Sequence, residues 1–315
     1  MFDLIIVGGG PAGVSAGVYA ARKRLKTLFI TESFGGQSTE SSGIENWIGT
    51  KNIPGAEFGK MLEDHLRAYA GNFVEIKIGE RVDKVSKLEV GKFEVVTTDG
   101  ANYQAKTILI TTGSTRRKLD ITGAKEFENK GITYCASCDG PLFADQDVAV
   151  IGAGNAAFET AAQLLAYAKS VTLLARSDFK ADEVTVEKVL SHQSMKAIKN
   201  AVPKEVKGGT RPNDRSVGRE FVSSLVYKLG EEEVDIPVTG IFVEIGLLPT
   251  TSFVKELVPL NKIGQIVVDP KTQRTTVDGL WAAGDATDGL YHQNNIAAGD
   301  AVKALEDIYL YLHAK

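Results

Sequence analysis

The chain has 315 residues, of which 43% are hydrophobic and 24% are charged, a composition that excludes a disordered chain. Its length predicts about two domains, and no apolar run approaches the ~20 residues that a membrane-spanning helix needs. The net charge of −4 argues against a broad nucleic-acid-binding face, which usually requires a basic surface.

The N-terminal segment predicts a nucleotide-binding βαβ unit. Residues 4–7 form a short apolar run, typical of a strand that is covered on both faces. A glycine-rich turn follows, then helical periodicity over residues 14–25 and a second apolar run over residues 27–31. The segment lacks the basic region and cleavage site of a secretory signal, so we expect a cytoplasmic protein.

The turn after the first strand reads Gly8-Gly-Gly10-Pro-Ala-Gly13, the pattern of a dinucleotide-binding turn. The first glycine permits the tight turn, the second lets a pyrophosphate approach the backbone, and the third lets helix and strand pack closely. The motif leads into the predicted helix, whose N-terminus faces the phosphates.

A C-x-x-C pair follows a stretch over residues 72–110 whose alternating polarity predicts antiparallel strands. Cys135 and Cys138 suit either a redox pair or half of a zinc site. The chain has no other cysteine and its four histidines lie far away in sequence, which disfavours zinc. Because the chain also carries two predicted nucleotide-binding units, we favour a redox pair over an inert buried pair. Asp139 adjoins Cys138 and can move protons as the pair is reduced.

The βαβ pattern recurs further along the chain. Apolar runs at residues 148–151 and 171–174 flank a predicted helix over residues 156–168, and the turn reads Gly152-Ala-Gly154-Asn-Ala-Ala. Two copies of one supersecondary unit predict two dinucleotide-binding domains.

The ends of the second strands distinguish the two copies. Glu32 ends the second strand of the first copy, where a carboxylate accepts hydrogen bonds from ribose hydroxyls. Arg176 takes the matching position in the second copy, where a guanidinium favours a 2′-phosphate, and Lys180 can add charge. The alternative, that Arg176 is a solvated surface cation, stays open.

Two segments, near Gly113 and Gly246, are typical of connections between domains. The simplest topology inserts the second domain into the first. We therefore predict one domain from residues 1–113 with 246–315, and another from residues 114–245.

Three further elements are predicted towards the C-terminus. Residues 207–216 form an exposed loop, and residues 297–312 form a final helix. Between them, residues 281–289 predict a strand that runs into Gly284 and Asp285. An Asp at a strand end near the first glycine turn suggests FAD, not NAD, in the first domain.

Taken together, these motifs resemble the low-molecular-weight thioredoxin reductases over essentially the whole chain. The resemblance rests on VGGGPAG, GGQ, IENWIG, TTG, CASCDG, GAGNAAFETA, FVEIGLLP and AAGDATDGLYHQ. The chain is also similar to the reductase half of the flavoprotein component of alkyl hydroperoxide reductase, notably in CDGPLF and GIFVEIGLLPTT.

The resemblance implies an α/β fold of two Rossmann-like dinucleotide-binding domains, a homodimer, and Cys135 and Cys138 as a redox disulfide with Asp139 as the acid. It implies FAD on the domain of residues 1–113 and 246–315. The FAD-binding residues are expected to be Gly8, Gly10, Pro11, Ala12, Gly13, Glu32, Gly36, Gln37, Asn46, Val82, Gly113, Gly284, Asp285, Gln293 and Asn294. NAD(P)H is expected on the domain of residues 114–245, at Gly152, Gly154, Asn155, Ala156, Glu159, Arg176 and Lys180.

The electron donor is less well defined by the sequence. NADPH-using members carry a His-Arg-Arg run followed by another Arg, whereas this chain keeps Arg176, has Ser177 next, and has Lys180 for the later Arg. We favour NADPH, with NADH or a non-nicotinamide donor as alternatives.

The sequence thus predicts an enzyme that passes electrons from NAD(P)H through flavin and the cysteine pair to a thioredoxin-like or glutaredoxin-like protein. Alternatives are a reductase of a peroxiredoxin-linked carrier, a ferredoxin-fed reductase and a dithiol oxidase that passes electrons to oxygen. A flavin-binding redox sensor without turnover is the alternative from a different class.

Overall fold

The computed structural model describes residues 1–41, 43–89, 91–210 and 220–314. The chain divides into two compact units, Met1–Thr115 with Leu248–Lys315 (unit 1) and Arg116–Leu247 (unit 2). Unit 2 is therefore continuous in sequence and interrupts unit 1. Within the described residues no helix combines the length and the apolarity needed to cross a membrane.

The chain contains six α-helices and seventeen strands among its described residues. The helices are α1 (Pro11–Arg22), α2 (Gly55–Ala70), α3 (Ala136–Asp139), α4 (Asn155–Leu164), α5 (Glu183–Leu190) and α6 (Asn294–His313). The strands of the first part are β1 (Phe2–Val7), β2 (Thr27–Thr31), β3 (Val74–Ile78), β4 (Val82–Glu89), β5 (Lys92–Thr97), β6 (Asn102–Ile110) and β7 (Ser114–Arg116). The later strands are β8 (Ile132–Thr133), β9 (Asp147–Ile151), β10 (Ser170–Leu174), β11 (Met195–Ile198), β12 (Ala201–Gly209), β13 (Phe221–Leu229), β14 (Glu232–Pro237), β15 (Gly240–Val243), β16 (Leu247–Pro249) and β17 (Leu280–Ala282).

Unit 1 is built on one mixed sheet with the order β3-β2-β1-β6-β5-β4. Strands β1, β2, β3 and β6 pair in parallel, and β4 and β5 extend the sheet as antiparallel strands. Strand β6 is shared, because its first half pairs with β5 and its last three residues pair in parallel with β17. This pairing brings the C-terminal segment beside the first glycine turn.

Unit 2 contains a parallel sheet with the order β11-β10-β9-β15-β8 and an antiparallel sheet of β12, β13 and β14. The α/β prediction with two Rossmann-like units is thus confirmed. Strands β1, β2, β9 and β10 are almost fully buried, as their apolar runs predicted.

Two local predictions need correction. The helix predicted over residues 14–25 begins at Pro11 and ends at Arg22, because proline suits the first turn of a helix and Arg24 has a left-handed φ of 58°. In the loop predicted over 207–216, residues 207–209 instead belong to β12, whose edge pairs with β13. Residues 211–216 of that predicted loop lie outside the described residues.

Candidate functional site

The first glycine turn is shaped by two glycines that no other residue can replace without strain. Gly8 has a φ of +116°, and a Cβ there would lie 2.4 Å from the Thr111 carbonyl oxygen. A Cβ on Gly13 would lie 1.8 Å from the carbonyl oxygen of Gly8. The turn therefore brings β1 and α1 into backbone contact, as the glycine pattern predicted.

Gly10 serves a different purpose from these packing glycines. It is the N-cap of α1, and a Cβ there would have no atom within 4 Å. The space over Gly10 belongs to a cavity of about 380 Å³ that lies wholly in unit 1. A helix N-terminus that opens into such a cavity is suited to a phosphate group.

Most of the residues predicted to bind FAD line this cavity. They are Gly8, Gly10, Pro11, Ala12, Glu32, Gly36, Gln37, Val82, Gly113, Gly284, Asp285 and Asn294. Glu32 is exposed directly after β2, so its carboxylate is accessible to a ligand as a hydrogen-bond acceptor. Asp285 lies beside the His292 ring, whose Nδ1 is 3.4 Å from the Asp285 carboxylate.

Three predicted residues are absent from the cavity lining. Gly13 is buried inside α1, where it serves the packing described above. Asn46 and Gln293 form a pair of their own, in which the Asn46 amide donates to Gln293 Oε1 at 3.1 Å. This pair lies next to Asn294, which accepts a 2.9 Å hydrogen bond from the Ser38 hydroxyl.

Sequence reasoning missed several polar residues of the same cavity. They are Ser33, Glu80, Arg81, Asp83, Thr111, Thr112, Ser114 and Thr250. Gln37 donates to the Ser114 hydroxyl at 3.4 Å, and Thr112 donates to the Thr250 carbonyl at 2.6 Å. Most of them directly follow β2, β3 or β6, and this was the available signal, because ligands bind outside the carboxyl ends of parallel strands.

The second glycine turn lies in unit 2 and repeats the first. A Cβ on Gly152 would lie 2.4 Å from the Glu244 carbonyl oxygen, and Gly154 is the N-cap of α4 with open space over its Cα. Ala156 and Glu159 are exposed on the first two turns of α4.

The predicted cations of unit 2 follow β10, and one of them contacts this turn. Arg176 is exposed two residues after β10. The Lys180 backbone N–H donates to the Ala153 carbonyl at 2.7 Å, which places Lys180 beside the turn. Asn155 binds the loop after Lys180, because its side chain both donates to the Asp182 carboxylate and accepts from the Asp182 N–H at 2.9 Å.

One further cation was not predicted. Lys199 follows β11, which pairs with β10, and its Nζ lies 3.0 Å from the Asp178 carboxylate. Lys199 therefore lies at the same sheet edge as Arg176, a proximity that only the strand order reveals.

The cysteine pair is a disulfide in unit 2. Cys135 and Cys138 are joined with a Cα–Cα distance of 5.3 Å, and the Cys138 N–H donates to Cys135 Sγ at 3.2 Å. Both cysteines are half-buried residues. Asp139 ends α3, directly after Cys138, and its N–H donates to the Cys135 carbonyl at 3.0 Å.

Glu244, another residue that was not predicted, is a buried acid beside the second glycine turn. Burial raises the pKa of the Glu244 carboxyl, while Arg116 at 3.8 Å and a 3.0 Å hydrogen bond from the Thr160 hydroxyl act in the opposite direction. Between the unfolded pKa and the raised folded pKa, the folded state keeps a proton that the unfolded chain has released. The contribution of Glu244 to stability is therefore lost as the pH rises through its folded pKa.

We expect Glu244→Gln to raise the thermal unfolding midpoint near pH 8 and to change it little below the ordinary glutamate pKa of 4.5. The amide removes the buried charge and keeps an acceptor for Thr160. Glu231→Gln, at a fully exposed side chain, is the matched control and should change neither midpoint. A midpoint for Glu244→Gln that is shifted equally at both pH values would contradict this account.

The fold agrees with comparisons to known proteins. The chain matches the family described as pyridine nucleotide-disulphide oxidoreductase over residues 2–301. It is 38% identical over 312 residues to a Bacillus subtilis protein named NADH dehydrogenase, covering 99% of this chain and 58% of that protein. It is 39% identical to the F component of alkyl hydroperoxide reductase in Pseudomonas putida, covering 96% of this chain and 56% of that protein.

Solved structures extend the comparison to the full length. A thioredoxin reductase from Streptococcus pyogenes superposes with a TM-score of 0.88 at 32% identity, covering 100% of this chain and 99% of that one. The chain spans less than two thirds of the length of the curated relatives named above.

The chain belongs to the pyridine nucleotide-disulphide oxidoreductases, a family of oxidoreductase enzymes. Within that family its structural neighbours include thioredoxin reductases. Membership implies a flavin and a pyridine nucleotide as cofactors. The residues of unit 1 fit the first of these, because Gly10 and Gly36 leave open a cradle beside the α1 N-terminus that side chains would fill.

Proposed function

We propose that the protein is an FAD-dependent disulfide reductase that transfers electrons from NAD(P)H to the Cys135–Cys138 disulfide and from there to a small thioredoxin-like or glutaredoxin-like protein. The observation that carries the proposal is the disulfide, which lies in the unit that bears the second dinucleotide turn. The net reaction consumes one NAD(P)H and one proton and converts the partner's disulfide to two thiols.

Each unit has its own part in this proposal. In unit 1, the glycine turn of residues 8–13 and the N-terminus of α1 would bind the FAD pyrophosphate. Glu32 would accept hydrogen bonds from a ribose, and Asp285 would bind the remaining polar part of the cofactor. When bound, FAD supplies the relay of two electrons between nucleotide and disulfide. In unit 2, Gly152 and Gly154 would bind the nicotinamide nucleotide.

We propose NADPH as the preferred donor. Arg176 and Lys180 offer positive charge at the end of β10, and a guanidinium can pair two N–H groups with a 2′-phosphate. The name of the Bacillus subtilis relative favours NADH as the alternative. The pair of Lys199 with Asp178 also limits the positive charge that is free to bind a phosphate.

If Arg176 recognises the 2′-phosphate, Arg176→Ala should raise the KM for NADPH about ten- to a hundredfold, the effect of one charged hydrogen bond of ~1.5–3 kcal/mol. The KM for NADH should stay unchanged. Lys196→Ala is a matched control, since Lys196 lies on β11 and is exposed away from the carboxyl end of the strand. Unchanged KM values for both nucleotides would assign Arg176 to the solvated surface.

The protein partner is proposed from the structural neighbours. Their thioredoxin reductase names favour a thioredoxin-like substrate. The alkyl hydroperoxide reductase relatives favour a peroxiredoxin-linked carrier as the second candidate. We further propose a cytoplasmic homodimer.

An anaerobic titration of the flavin-loaded protein tests the proposal. NADPH or NADH should bleach the flavin absorbance within the dead time of manual mixing, and an added thioredoxin disulfide should then be reduced catalytically. Bleaching without turnover on thioredoxin, glutaredoxin or a peroxiredoxin carrier would favour a sensor. If only reduced ferredoxin bleached the flavin absorbance, ferredoxin would replace NAD(P)H as the proposed electron donor.

A further inference from the structure

A buried hydroxyl links the cysteine pair to Asp139. Thr133 lies at the end of β8 and is 7% exposed. Its hydroxyl donates to the Asp139 carboxylate and accepts the Cys135 N–H at 3.3 Å. A single oxygen atom therefore connects the backbone of one cysteine to the acid that follows the other.

The position of this hydroxyl is fixed by the sheet and not by the loop that carries the cysteines. Thr133 pairs with Phe242 of β15 in the parallel sheet, and a β-branched side chain has little freedom about χ1. The N–H of Cys135 occupies one lone pair of the oxygen, which leaves the O–H directed to Asp139.

A hydroxyl at this place suits both protonation states of the acid. It donates to a carboxylate and can accept from a carboxylic acid, since a threonine oxygen has one hydrogen and two lone pairs. Reduction of a disulfide takes up two electrons and two protons, and reoxidation by a partner disulfide releases them. An acid that exchanges one of these protons must change state in each cycle while keeping its orientation.

We propose that Thr133 is a positioning residue that orients Asp139 towards the cysteine pair in both protonation states. This inference rests on the proposed function, in which Asp139 carries a proton of the Cys135–Cys138 pair. Cys135 first attacks the partner's disulfide, which forms the mixed disulfide and releases one partner sulfur as a thiol that takes the Cys135 proton. Cys138 then attacks the Cys135 sulfur, breaks its bond to the partner, and gives its own proton to Asp139. Asp139 would then pass this proton to the partner's departing thiolate. At the end of the step the Cys135–Cys138 disulfide has re-formed, and the two sulfurs of the partner have gained its two electrons.

The test compares Thr133→Val, which keeps the shape and loses the hydroxyl, with Thr133→Ser, which keeps the hydroxyl and loses the methyl group. Thr133→Ala is a second apolar variant in case the valine is poorly packed. Two rates are measured: turnover with thioredoxin, and reduction of the Cys135–Cys138 disulfide by dithiothreitol, followed by alkylation of the new thiols and mass spectrometry. The second rate needs neither flavin nor nucleotide.

We expect both apolar variants to lower both rates about tenfold, the effect of losing one hydrogen bond to a charged group. Thr133→Ser should stay within about twofold of the wild type, and all variants should keep their flavin and its reduction by nucleotide. In an Asp139→Asn background, Thr133→Val should cause no further loss, because the two residues act as one unit.

Equal losses for Val and Ser would assign Thr133 to packing and overturn the inference. An equal effect of Thr133→Val with and without Asp139→Asn would also overturn it, since Thr133 would then act independently of the acid. If the wild type fails to reduce any protein disulfide, the proposed function fails, and the dithiothreitol rates still decide whether Thr133 acts through Asp139.

Discussion

Cys138→Ser should reduce protein-disulfide turnover to the uncatalysed background while leaving bound flavin and its reduction by nucleotide intact. The variant keeps the thiol of Cys135 and the backbone N–H that donates to it at 3.2 Å. It cannot close the intramolecular disulfide that releases the reduced partner. Stopped-flow absorbance measures the reduction of the flavin by nucleotide. A coupled insulin-reduction assay with thioredoxin measures protein-disulfide turnover.

Ser137→Ala is the matched control for this prediction. Ser137 lies between the two cysteines, is exposed, and makes a 3.2 Å side-chain hydrogen bond with Gln163. Its loss should change turnover less than about twofold, as is usual for a surface substitution. Undiminished protein-disulfide reduction by Cys138→Ser would contradict the mechanism.

Gly13→Ala should abolish flavin retention and lower the unfolding midpoint of the protein. A Cβ placed 1.8 Å from the Gly8 carbonyl oxygen must push α1 away from the glycine turn, and backbone contacts of this kind cannot relax by a side-chain rotation. Overpacking of a rigid site costs ~1–3 kcal/mol or more, and the turn loses the shape that faces the cavity. The ratio of flavin to protein absorbance after gel filtration measures the effect.

Gly299→Ala provides the control for the glycine substitution. Gly299 lies in α6, and a Cβ there would meet no atom within 4 Å. Alanine is favoured over glycine in a helix by ~1 kcal/mol, so this variant should be at least as stable as the wild type. A full flavin complement in Gly13→Ala would show that the close approach of Gly13 and Gly8 is not needed for the cofactor.

The parts of the fold that were predictable from sequence are those encoded locally. The two glycine turns combine a buried strand, a tight turn and a helix within about 30 residues, as βαβ units do. Both turns were therefore found from spacing, and Gly8, Gly13 and Gly152 show the close backbone contacts that their pattern predicted. Gly284 and Asp285, which a strand ending in Gly-Asp had singled out, line the cavity of unit 1.

The residues that were missed depend on pairings between distant segments. Lys199 comes near Arg176 because β11 lies beside β10 in the sheet, and Glu244 reaches Gly152 because β15 lies beside β9. Thr133 was not singled out in the sequence, because its hydrogen bond to Asp139 depends on the turn of α3. The assignment of residues 207–209 to a loop was wrong for the same reason, since two glycines after a lysine suggest a turn unless a partner strand is known.

The interruption of unit 1 by unit 2 has a consequence for biosynthesis. The core of unit 1 packs Leu4 and Ala16 against Trp281, Ala301 and Leu305, so its two halves are separated by the whole of Arg116–Leu247. On the ribosome the continuous unit can fold as soon as it emerges, because domains generally fold as units during synthesis. The side of α1 that packs against α6 stays exposed until α6 has been translated. The nascent chain therefore exposes apolar surface for longest at the segment that was made first.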